Sequence, residues 1–211
     1  MGIATSGGHV ITVTNDRLEI DNQRVETLAV RACDANALLA DPDYQYDASS
    51  QRWFSTILNG SGVDLAISDA SAPDGPYYAC YRLDPAMWDA RIDPRTGFID
   101  SPRLTVTGNK VAIVGTPINC STSTGDCDRS DTLVINKADA VAGRRLHTAT
   151  VRHINTPMRP ARDVNGFNDA VFIVGHPDGA AHDVFRVGVI TGVPGVSTVT
   201  TALGRSTRPS P

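Results

Sequence analysis

The residues best able to do chemistry in this 211-residue chain are carboxylates and guanidiniums. Asp41, Asp43 and Asp47 alternate around an Asp-Pro start, and Asp163 lies in a comparable position further on. Carboxylates spaced this way can bind a cation or divide acid and base roles at a glycosidic bond, which makes Asp41, Asp43 and Asp163 the candidate catalytic residues. The same residues also fit turns, where a short carboxylate accepts backbone N–H groups. Arg103, Arg159 and Arg162 form a second set, a candidate ligand-binding cluster. Planar guanidiniums grip carboxylates with two parallel hydrogen bonds. Their plainer use is ion pairing with Asp100 and Asp163 on neighbouring strands. Asp126, Asp128 and Asp131 alternate in one loop. Hard oxygen ligands at that spacing suit calcium, although the Gly and distal Glu of an EF-hand are lacking. Calcium is the one cofactor these residues suggest, and no other is expected. His176, His182, Asp178 and Asp183 share a loop that reads either as a metal site or as a Pro-Asp-Gly turn.

Several chemistries find no support. There is no Gly-x-Ser-x-Gly elbow and no phosphate-binding glycine loop. The net charge is −4 and the arginines are scattered, so nucleic acid is not an expected partner. No apolar run reaches the ~18–20 residues of a membrane helix. Cys120 and Cys127 flank a short polar segment and are expected to close it with a disulfide, which implies an oxidising compartment. Cys33 and Cys80 could pair or stay free.

The elements that must position these residues are strands. Of 19 basic residues only Lys110 and Lys137 are lysines, and of 23 acidic residues only Glu19 and Glu26 are glutamates. Helix-forming charges are thus scarce, while Val, Thr, Gly and Pro are plentiful. Short apolar or alternating runs separated by turn signals fall into four sets of four strands. The first strand of the first set is indistinct. Only residues 138–143 read as a helical turn. The later sets open on Asp41-Pro42, Ser101-Pro102 and Met158-Arg159-Pro160, roughly 60 residues apart, as propeller blades with long loops would be. A β-sandwich is the rival architecture. The expectation is an all-β propeller of about four four-stranded antiparallel blades, over residues 1–32, 40–85, 100–154 and 157–204. It is either an open arc or a small closed ring. Residues 205–211 read as a linker, and the abrupt start reads as the cut edge of a longer chain.

One stretch resembles a known group. Asp41-Pro42-Asp43-Tyr44-Gln45-Tyr46-Asp47, then Arg52-Trp53-Phe54, then Val63-Asp64-Leu65-Ala66-Ile67-Ser68 is similar to a blade of large secreted bacterial β-propellers of sialidase-like shape, mostly without assigned activity. The similarity continues through Asp74-Gly75-Pro76-Tyr77-Tyr78, Pro102 to Val106, and Leu133 to Ala138 with Gly143. It implies an extracellular or cell-surface location and further blades or domains beyond these four. It does not imply catalysis, and the Asp box of true sialidases is absent. The expected role is a binding or scaffolding module for a carbohydrate or protein ligand, with a sialidase-like glycoside hydrolase as the alternative. In such a propeller the segments 33–42, 59–62, 93–102, 116–131, 155–160 and 175–183 converge on one face. Trp53, Trp88 and the tyrosines are expected between blades.

Overall fold

A computed structural model describes residues 2–6, 9–15, 18–21, 23–26, 33, 39–69, 77–120, 130–152, 157–163, 168–176 and 184–207. It holds four antiparallel sheets of four strands, each strand hydrogen-bonded to the next in sequence. Blade 1 is β1 (Gly2–Ser6), β2 (His9–Val13), β3 (Leu18–Ile20) and β4 (Gln23–Glu26). Blade 2 is β5 (Leu39–Asp47), β6 (Arg52–Asn59), β7 (Gly62–Ser68) and β8 (Tyr77–Leu83). Blade 3 is β9 (Phe98–Val106), β10 (Lys110–Ile118), β11 (Asp131–Asn136) and β12 (Thr148–Arg152). Blade 4 is β13 (Met158–Pro160), β14 (Val171–Gly175), β15 (Val184–Thr191) and β16 (Thr200–Thr207). The first strands, β1, β5, β9 and β13, pack side by side in that order and line the centre. The chain runs along them from what we call the upper end to the lower end.

Alternation explains why the blades stack. Successive side chains of a strand point to opposite faces, so a sheet buried on both faces needs apolar residues at both parities. In β6, Trp53 and Ile57 join Ile11, Val13 and Ile20 of blade 1, while Phe54 faces blade 3. In β10, Val111 and Ile113 face blade 2, while Ala112 and Val114 meet Val171, Ile173 and Ile190 of blade 4. Each fully buried aliphatic or aromatic side chain contributes roughly 1.5–3 kcal/mol. Trp53, Trp88 and Tyr44 are buried between blades, whereas Tyr78 is 51% exposed and stacks under Arg52. Arg52 also donates to the Ser68 carbonyl and pairs with Asp69, not with Asp41, Asp43 or Asp47.

Blade 4 ends the stack. Its inner-facing residues are covered by blade 3, but Phe172, Val174 and Phe185 of the opposite face are 44%, 39% and 43% exposed. No packing comparable to the other neighbouring pairs links β13 to β1 among the described residues. The four sheets therefore form an open arc, and the small closed ring is excluded.

Two inner strands begin earlier than their prolines suggest. Asp41 (φ 47°) and Ser101 (φ 48°) sit in the left-handed region, each just before a proline, at a register shift within β5 and β9. The prolines mark β-bulges inside the strands, where a missing N–H costs no ladder bond, and not the strand starts. One short helix, α1 (Lys137–Val141), follows β11; Asn136 caps it by accepting from the Ala138 N–H. Cys33 and Cys80 are disulfide-bonded, joining the approach to blade 2 with its outermost strand. Cys120 is also disulfide-bonded, and Cys127 lies outside the described residues. No helix among the described residues is long and apolar enough to cross a membrane.

Candidate functional site

At the upper end, β9 and β13 present Arg103 and Arg159 at matching positions. Arg103 is paired in register with Val114 of the neighbouring strand, and Arg159 with Val174. Each guanidinium donates to the carbonyl of the residue just before it: Arg103 to Pro102 at 3.3 Å, Arg159 to Met158 at 3.2 Å. Neither makes an ion pair within 4.0 Å among the described residues. The two charges nevertheless feel one another. Burial lowers the Arg159 pKa from its ordinary value, the Arg103 charge lowers it further, and Asp100 and Asp41 oppose the shift. Arg103, Asp100 and Asp41, from two neighbouring inner strands, thus lie within electrostatic reach of Arg159.

Arg162, the third expected arginine, is elsewhere. It donates to the Tyr44 carbonyl at 2.6 Å and forms an ion pair with Asp43. Asp43 is 3% exposed and accepts the Leu104 N–H at 2.8 Å with its other oxygen. Gln45 completes the same bridge two residues on, accepting from Val106 N–H and donating to the Val106 and Asp163 carbonyls. Side chains of β5 thereby pair with the backbone of its neighbour β9. This polar plug uses Asp43 internally. The Asp163 carboxylate accepts the Asn168 N–H at 2.9 Å. Of the sequence-derived set, the upper patch therefore gathers Asp41, Arg103 and Arg159, with Asp100 added, and does not include Asp43, Arg162 or the Asn168-bound Asp163 carboxylate.

The calcium candidates Asp126 and Asp128 lie outside the described residues, as do 177–183 of the His-rich loop. Asp131 is fully buried at the start of β11. Among the described residues no group of three His, Cys, Asp or Glu side chains could hold a metal ion.

Sequence reasoning did not anticipate the lower end. The chain's only two lysines are both buried there. Lys137 Nζ donates to Asp47 Oδ2 (2.8 Å), Ser49 Oγ (2.6 Å) and the Thr107 carbonyl (2.7 Å), tying α1 to blade 2. Lys110 Nζ donates to Asn109 Oδ1 at 2.6 Å and to the Asp169 carbonyl. Burial holds the Lys110 pKa below its ordinary value. Beside these lysines lies a cavity of about 570 Å³ between the turns of blades 2, 3 and 4. The available signal was the repeated Asn-Lys pair, Asn109-Lys110 and Asn136-Lys137, in an otherwise arginine-only chain.

No family model and no curated protein matches the chain. Among solved structures, a subtype N11 neuraminidase-like protein of A/flat-faced bat/Peru/033/2010 (H18N11) superposes on 98% of this chain with a TM-score of 0.50 at 12% identity. This is a propeller arc. The chain spans 59% of that protein's length. The polysaccharide lyase Uly1 aligns over 97% of this chain and 57% of its own, with a TM-score of 0.38 at 10% identity. At these identities the likeness is one of fold.

Proposed function

We propose that this arc is a binding module of a larger extracellular propeller protein, and that it holds an acidic carbohydrate at the upper end of the channel. The observation that carries this reading is the Arg103–Arg159 pair. A guanidinium has five N–H donors, and each of these spends only one contact on a backbone carbonyl among the described residues. Two guanidiniums within electrostatic reach of one another are relieved by an anion, and a carboxylate is a good partner for a guanidinium. Asp41 and Asp100 supply acceptors for sugar hydroxyls. The solved neighbour's neuraminidase-like description agrees with a carbohydrate ligand. The uncovered face of blade 4 supports further blades, and the Cys33–Cys80 disulfide supports an oxidising, extracellular setting.

Titration with glucuronate against glucose tests the reading. Glucuronate is expected to bind and glucose not, with Arg159→Ala weakening glucuronate about tenfold or more. Equal affinity for both sugars would overturn it. A glycoside hydrolase is the second reading, favoured by the two carboxylates beside the arginines. It predicts turnover of chromogenic glycosides that is lost in Asp41→Asn.

A further inference from the structure

We propose that the cavity at the lower end is a second binding site, for an uncharged and mainly apolar small molecule. At about 570 Å³ it falls within the ~300–1,000 Å³ of ordinary ligand sites. It is built from turns of three blades, so no single sheet forms it: Ser50 of blade 2, Asn109 and Val141 of blade 3, and Val193 and Val196 of blade 4 all line it.

Its chemistry excludes an ion. Lys137 is the only charged residue of the lining, and it is neutralised by Asp47 with its three N–H donors already used. An anion would find no cationic donor free there, and a cation would meet Lys137. The amides are engaged too. Asn136 accepts from Ala138 N–H and donates to the Pro194 carbonyl, while Asn109 accepts from Lys110 and donates to Asp169. What remains for a ligand is apolar surface, with single amide N–H groups left to orient it.

The site is also preformed. The β15–β16 turn braces itself through Val196 N–H to Val193 O (3.0 Å) and Val193 N–H to Ser197 Oγ (2.9 Å). Asn136 then ties it to blade 3 through Pro194. Val196 sits on this braced turn with 76% of its surface exposed, the most exposed large apolar side chain described. A rigid wall that keeps a valine in water is set up to gain by covering it, because little ordering entropy remains to be lost on binding.

Fluorescence titration of the whole chain with Nile red, a neutral apolar probe, tests the proposal. Saturable binding of one equivalent is expected. Ala138→Phe, which fills the cavity from an exposed position, should weaken it about tenfold or more, and so should Val196→Asp. Phe172→Ser, on the uncovered face of blade 4, should leave it unchanged. Glucuronate binding at the upper end should be unaffected by Val196→Asp, which keeps the two sites separately testable. Absence of saturable binding would overturn the proposal. Loss of binding in Phe172→Ser with retention in Ala138→Phe would overturn it equally, by assigning the probe to the blade 4 face.

Discussion

Lys137 at the lower end gives all three of its donors to protein acceptors, one of them the carboxylate of Asp47. Arg103 and Arg159 at the upper end each give one donor, to a neutral carbonyl of their own strand. The side-chain chemistry makes both arrangements natural. An ammonium is a compact charge that three well-placed oxygens can satisfy completely, so lysine can be sealed inside. A guanidinium keeps donors on two edges, and a single carbonyl cannot use them. Between the two ends, Asp43 and Gln45 tie β5 to the backbone of its neighbour β9. The arc therefore carries a structural ion pair at one end and arginines with unused donors at the other. Charge alone does not mark a site; unused donors do.

The contrast would break first on stability. Lys137→Met leaves Asp47 buried without its counter-charge and should destabilise the fold by about 3–5 kcal/mol in urea denaturation. The double variant Asp47→Asn/Lys137→Met should recover a large part of that loss. Asp43→Ala, which removes the plug's bonds to Leu104 and Arg162, should cost about 2–3 kcal/mol. At the upper end, Arg103→Ala and Arg159→Ala should each stay within about 0.5 kcal/mol of the parent. A strongly destabilised Arg159→Ala would mean that this arginine, too, is structural.

Acid sharpens the contrast further. The Asp139 carboxyl is held below its usual pKa, first by the hydrogen bond from His147 and against the upward push of burial, with Arg144 adding to the lowering. In Asp89 burial pushes up, but hydrogen bonds from Arg91 and the charges of Arg152 and Arg91 outweigh it. A depressed folded-state pKa gives stability that is present above the unfolded value and lost as pH falls through the folded one. Denaturation midpoints should therefore drop between about pH 5 and pH 2, and His147→Ala should flatten that drop slightly. The effect should be smaller than those above, because His147 is 64% exposed and solvent screens it.

Much of the architecture was legible because it rests on local periodicity. The run Val63 to Ser68 predicts β7, and the structure has Gly62–Ser68; Thr132 to Asn136 predicts β11, and the structure has Asp131–Asn136. The inner strands were misjudged at Asp41-Pro42 and Ser101-Pro102, since a proline reads as a boundary and a bulge leaves no mark of its own in sequence. The site divides in the same way. Arg103 and Arg159 were legible, within a set of three arginines, because each falls in an inner strand. Arg162 looked equivalent by spacing, but its partner Asp43 lies 119 residues away, and nothing local announces that contact. The lower cavity was illegible for the same reason: its walls come from turns of three blades, and only folding brings Ser50, Asn136 and Val196 together.

The most direct measurement is calorimetric titration of glucuronate into the parent chain, Arg103→Ala and Arg159→Ala at matched ionic strength, with folding verified by denaturation. Binding to the parent that is lost in both variants, at unchanged stability, is the predicted result. Binding that survives both substitutions, or that is absent from the parent, would contradict the assignment of the upper end as the anion-holding site.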